Sequence, residues 1–149
     1  KRFEFKGNIE GRTIVDDYAH HPKEIKATIK LGRLFLNEHD KYKRLIAIFQ
    51  PHRFTRVNEF FIEFANELAL ADQIIITNIY GAGEKNINNI SSSKISKEIF
   101  KSNKNVKIVK DNNEIQKNFN DLTRENDLII NMGAGDCHNL WHILTSQKH

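Results

Sequence analysis

Four short segments of this 149-residue chain hold most of the side chains able to do chemistry. The densest is Asp16-Asp17-Tyr18-Ala19-His20-His21-Pro22. Two carboxylates and two imidazoles so close together could bind a metal, exchange protons, or contact a ribose and an anion. A zinc site is disfavoured: there is no second cysteine and no HExxH spacing, and adjacent His20 and His21 do not easily face one ion. The plainer alternative is a loop whose acids cap the next helix and whose histidines are solvated. The second segment is Phe49-Gln50-Pro51-His52-Arg53-Phe54-Thr55-Arg56. Arg53 and Arg56 lie three apart at an expected helix start, so both can project to one side. Guanidinium forks there suit carboxylate or phosphate, with helix amides adding to their field. Without an anion they oppose the helix dipole, and a surface pair of Arg with Glu59 is the competing explanation.

The other two are glycine turns, Gly81-Ala82-Gly83-Glu84 and Gly133-Ala134-Gly135-Asp136. Each can bring backbone close to a ligand, and each can equally be a simple strand-to-helix turn. Neither is a GxGxxG fingerprint or a GxxxxGK[ST] phosphate loop, so nothing here cradles a triphosphate alone. Cys137 is expected to be a small buried or half-buried thiol rather than a nucleophile, with neighbouring His138 on another helix face. His39, His142 and His149 are expected at the surface or terminus, and Phe60, Phe61 and Phe64 in the core rather than stacking on bases.

The elements that must position these residues follow from periodicity. Alternation predicts a short strand over 2–6 closing on Gly7, then a second over 12–17. Pro22 opens a helix in which Ile25, Ile29, Leu31, Leu34 and Phe35 recur at helical spacing. Apolar runs over 44–50, 72–77 and 127–132 predict buried parallel strands, and 106–109 a short strand. Helices are expected over 55–71, from caps at 91–93 through Phe100, over 114–122, and last through Leu140, Trp141, Ile143 and Leu144. The alternation predicts an α/β protein: a Rossmann-like three-layer sandwich whose sheet is mostly parallel, with one N-terminal edge strand. Ligands in such sheets bind beyond the carboxyl ends of the strands, where all four segments fall.

Composition bounds the rest. Hydrophobic residues at 39% and charged residues at 28% are ordinary for a globular chain, which excludes a collagen-like or wholly disordered one. No apolar run approaches the roughly 18 residues of a membrane span. The single Cys137 excludes an intramolecular disulfide and suits a reducing compartment. A net charge of +4 allows anionic partners but is too mild to indicate nucleic acid. One domain is expected over 1–149, without linkers or repeats. The chain opens on Lys1 rather than Met, with no signal-peptide pattern, and is expected to be a piece of something longer.

Together, DDYAHHP at 16–22, FQPHRFTR at 49–56, IYGAGE at 79–84 and MGAGD at 132–136 closely resemble the C-terminal domain of the Mur ligases. The resemblance covers essentially the whole chain, including the opening RFEFKG. FQPHRFTR points to the alanine-adding branch, because the branch that recycles murein tripeptide differs there. Phe54 stands where tyrosine is common. The resemblance implies one of three domains of a cytoplasmic bacterial enzyme of peptidoglycan synthesis. Another domain would bind UDP-N-acetylmuramate, and a central one would carry the phosphate loop for ATP. With Mg²⁺, ATP would phosphorylate the muramoyl carboxylate, and the amine of L-alanine would attack the acyl phosphate. By the same resemblance, Asp16 and Asp17 would meet the ribose end of ATP. Tyr18, His20, Arg53 and Arg56 would face the carboxylate, the phosphoryl group and alanine. His20 would orient or deprotonate the ammonium, His21 would orient only, and Gly135 and Asp136 would contact the amino acid. No metal ligand is assigned in this chain, and neither nucleic acid nor membrane is an expected partner. The isolated domain is expected to be inactive. A recycling ligase domain and a non-catalytic nucleotide- or anion-binding module are the alternatives.

Overall fold

Successive side chains along each central strand enter two different cores. In β3 (Arg44–Phe49), Leu45, Ala47 and Phe49 face one core while Ile46 and Ile48 face the other. Leu128, Ile130 and Met132 alternate with Ile129 in the same way along β6 (Asp127–Met132). Burial on both faces is why these segments read as unbroken apolar runs. The computed structural model describes residues 2–146; His149 lies outside them.

The sheet also contains β1 (Glu4–Ile9), β2 (Arg12–Asp17), β4 (Gln73–Ile76) and β5 (Val106–Ile108). Its order is β1-β2-β6-β3-β4-β5. An N-terminal edge strand is expected from the sequence, and the structure makes it the one antiparallel strand of the sheet among the described residues. Against the larger core pack α1 (Pro22–Glu38), α2 (Phe54–Leu68) and α3 (Ser93–Phe100), through residues such as Ile25, Phe64 and Ile95. The opposite core receives Ile115 of α4 (Asn112–Lys117), Phe119 of α5 (Phe119–Leu122) and Leu140 of α6 (Leu140–Ser146). The result is the expected three-layer α/β sandwich.

Several local expectations shift. Strand β1 continues through Gly7 to Ile9, with its register broken between Phe5 and Gly7. Gly7 is a contact point rather than a stop: a Cβ there would lie 2.6 Å from the Trp141 ring. Leu31 and Leu34 are exposed, because α1 presents Ile25, Thr28, Ile29 and Gly32 to the sheet instead. In α2, Phe64 and Leu68 are buried while Phe60, at a local bend, and Phe61 are only half-buried against them. The helix expected over 114–122 breaks at Asn118 into α4 and α5. Ser92 does not cap α3 with its side chain; its hydroxyl donates to the Thr77 carbonyl.

Ile129 is fully buried in the middle of β6. Replacing Ile129 with Ala should destabilise the protein by about 2–5 kcal/mol through lost burial and a residual cavity, read as a lower urea midpoint at unchanged slope.

Candidate active site

The register of the parallel strands makes their carboxyl ends coincide. Asp17 pairs with Met132, Phe49 with Met132, and Phe49 with Ile76. The chain leaving each strand therefore emerges beside the others, and a parallel bridge between His52 and Tyr80 ties two of these loops together. All four segments singled out in the sequence meet on this edge.

There, residues in and beside these segments form a continuous row of rings. His138 stacks on Tyr18 with centroids 5.7 Å apart, and Tyr18 meets His20 edge-on, also at 5.7 Å. His20 in turn approaches His52 at 5.9 Å, and His52 stacks on Tyr80 at 5.6 Å. Tyr18 is exposed and His20 half-buried, so the row is open to a ligand. His20 Nδ1 lies 3.0 Å from the Tyr18 carbonyl, which assigns the proton to Nδ1 and leaves Nε2 as the basic atom. The Glu24 carboxylate accepts the amides of His20 and His21, at 3.1 and 3.0 Å, and fixes the loop onto the start of α1. Burial would raise its pKa, but those amides and the nearby His20 and Arg2 bring it below its ordinary value. His21 itself packs against Phe60.

The two acids of the first segment have different surroundings. Asp17 is buried, accepts the amides of Phe3 and Ala19 at 2.9 and 2.8 Å, and pairs with Arg2 at 3.3 Å. Its carboxylate holds the fold together. Asp16 accepts from Asn131 at 3.3 Å and faces His138 Nδ1 at 3.6 Å. It also lines a 290 Å³ pocket with Glu4, Lys6, Tyr18 and His138.

Arg53 and Arg56 flank the row but have separate partners. Exposed Arg53 lies 3.7 Å from Glu84, not beside Glu59. Arg56 reaches back to His52, with Nη1 3.1 Å from both the Nδ1 and the carbonyl oxygen of that residue. A guanidinium donating to Nδ1 favours neutral imidazole. Accordingly, burial, then Arg56, His20 and Arg53, lower the His52 pKa.

The 133–136 loop is held by Gln50, a nearly buried side chain at the end of β3. Its Nε2 donates to Asp136 at 2.6 Å while its Oε1 accepts the Cys137 amide at 3.1 Å. A Cβ on Gly135 would lie 2.7 Å from that same oxygen and 2.8 Å from the Tyr80 ring, so only glycine fits. Cys137 is buried, as expected. His138 is not turned away: its nitrogens face two acceptors, Asp16 and the Gly133 carbonyl at 2.6 Å. With Asp16 as the leading cause, its pKa is raised to about 10. Gln50 and Asp136 also border an open cleft of 460 Å³ that extends past Tyr80 to Lys110.

Gln50, His52, Tyr80 and His138 are the site residues that sequence reasoning missed. The first three stand inside quoted motifs, but only the fold shows that they touch the row. Among the described residues, no three His, Cys, Asp or Glu side chains converge as metal ligands.

The family model described as "Mur ligase, glutamate ligase domain" matches residues 1–135. A UDP-N-acetylmuramate–L-alanine ligase of Prochlorococcus marinus subsp. pastoris is 61% identical over 99% of this chain, which spans 32% of that relative. One from Caldanaerobacter subterraneus is 44% identical over 91% of the chain and 28% of its own length. This chain thus covers about a third of the curated relatives it matches. Among solved structures, the UDP-N-acetylmuramate–alanine ligase of Thermotoga maritima superposes with a TM-score of 0.71 at 26% identity, covering 98% of this chain and 29% of that one.

Two measurements test the local assignments. His138 has a folded pKa above its ordinary 6.5, so the folded state holds more protons than the unfolded one between pH 6.5 and about 10. Its stabilisation should be complete below that window and lost as pH rises through it, and His138→Gln should flatten this decline in urea midpoints. Asp17→Ala should destabilise by about 1–3 kcal/mol by orphaning buried amides, read by thermal or urea unfolding.

Proposed function

The chain belongs to the Mur ligase family, through its glutamate ligase domain, and from that premise we propose that it is the C-terminal domain of a UDP-N-acetylmuramate–L-alanine ligase. The parent enzyme would use ATP to form an amide through an acyl phosphate, in peptidoglycan synthesis in the bacterial cytoplasm. The whole stretch 1–149 would form this one domain, inactive without its N-terminal and central partners. No helix among the described residues is long and apolar enough to cross a membrane. One observation carries the reading: residues from four separated stretches, with His138 from the last, assemble into a single row of rings flanked by two arginines.

Each group then has a physical task. Arg53 and Arg56 supply positive charge where the acyl phosphate and the tetrahedral intermediate are most negative, which is a transition-state contribution. His20, protonated on Nδ1, offers Nε2 to take a proton from the alanine ammonium as it becomes a nucleophile. His52, held neutral beside Arg56, adds no repulsion to that step. Tyr18 provides an exposed aromatic face. Gly135 and Asp136, braced by Gln50, would bound the amino-acid side of the site. The ribose of ATP is assigned to Asp16 rather than Asp17, because Asp17 already has its amides and Arg2. Mg²⁺ would be held mainly by the nucleotide and the rest of the parent protein; among the described residues no three His, Cys, Asp or Glu side chains converge on one point.

The test uses the full-length parent protein with UDP-N-acetylmuramate, ATP and Mg²⁺. Phosphate release should depend on both L-alanine and the sugar nucleotide. Release with a muropeptide in place of alanine would reassign the domain to a recycling ligase, and no release with either would overturn the ligase reading. Arg53→Ala should lower turnover by about 100-fold or more while circular dichroism is unchanged; near-normal turnover would remove Arg53 from the mechanism.

A further inference from the structure

The helix that carries both arginines has no cap of its own. Arg53 stands at its N-cap without a side-chain bond to the first turn, and no acidic residue follows in that turn. Two guanidinium groups therefore crowd the positive end of the helix dipole. The Arg53 backbone, at φ 74°, also lies in the left-handed region that residues with a Cβ avoid. Such a helix start would fray or swing unless something outside the helix restrained it.

The restraint comes from the glycine turn after β4. Glu84 Oε1 accepts the Thr55 amide at 3.1 Å, and Oε2 accepts the Thr55 hydroxyl at 2.7 Å. Those bonds, with the Phe54 amide and Arg53 contributing, keep its carboxyl below the ordinary pKa of a glutamate. The same Oε2 lies 3.7 Å from Arg53 Nη1. The turn is shaped for this delivery. The Glu84 amide donates to the Gly81 carbonyl at 3.0 Å, and Ala82 and Gly83 have φ of 53° and 86°, the sign pair of a type I′ turn. One residue earlier, the Tyr80 carbonyl accepts the Arg53 amide at 2.8 Å. Both ends of the 80–84 segment thus grip the start of α2.

We propose that Glu84 is a positioning residue of the active site, a cap supplied from the neighbouring loop that fixes the start of α2 and so the directions of Arg53 and Arg56. It need not touch substrate. This inference rests on the catalytic role assigned above to those arginines.

Two readouts test it. In this chain, Glu84→Ala should speed amide hydrogen exchange over 53–57 by roughly fivefold and leave the β6 amides unchanged. Unchanged exchange over 53–57 would overturn the cap. In the full-length parent, Glu84→Ala should lower L-alanine-dependent kcat by about 10- to 100-fold, as misdirected catalytic groups do. Glu84→Gln keeps an oxygen for the Thr55 amide and should recover most of that loss, whereas a purely structural role would move stability without this rescue. Faster exchange with unchanged kcat would overturn the positioning role. If Glu84→Ala fails to fold, Thr55→Val removes the hydroxyl bond alone and should give a smaller effect of the same sign in both readouts; no effect in either would overturn the proposal. If the wild-type parent itself releases no phosphate, the ligase reading falls, and hydrogen exchange still decides whether Glu84 is the cap.

Discussion

The in-register ends of β2, β6, β3 and β4 are the constraint on which the site depends. Parallel pairing lets four strands finish at one level, so that loops distant in sequence leave the sheet side by side. Burial on both faces makes that register hard to change. A slip of one residue would exchange the side chains bound for the larger core with those bound for the smaller one. The site's precision is therefore inherited from the apolar cores beneath it.

Above the sheet, electrostatics divides the work. Arg53, Arg56 and His138 supply positive charge along one open edge, while Asp16 and Glu84 anchor parts of it. At His52, between Arg56 and His20, burial and then the charge of Arg56 oppose protonation. Asp17 adds no free charge, since amides and Arg2 already surround it. An edge of this kind attracts anions while its carboxylates maintain its shape.

The glycine loops also carry that shape. Gly135 is small because Gln50 and Tyr80 occupy the space a side chain would need. The 81–84 turn carries positive φ because Glu84 must be turned back toward α2. In both places the loop geometry brings two of the strand-end loops into contact.

Periodicity alone determined the layers, the N-terminal edge strand and the strand ends where chemistry gathers, while pairing made that edge strand antiparallel. Both periods, 2 and 3.6, are imposed by burial and are written directly into residue order. Motif resemblance in the sequence likewise pointed to the Mur ligases, because DDYAHHP, FQPHRFTR and the two glycine turns are local strings. Tertiary structure decided which of their residues meet. It gave Asp17 to the fold, paired Arg53 with Glu84 instead of Glu59, set Leu31 and Leu34 in solvent, and placed Gln50, His52, Tyr80 and His138 in the site. Those outcomes rest on contacts between segments far apart in the chain, and a local pattern carries no information about which distant atom will lie within three or four ångströms.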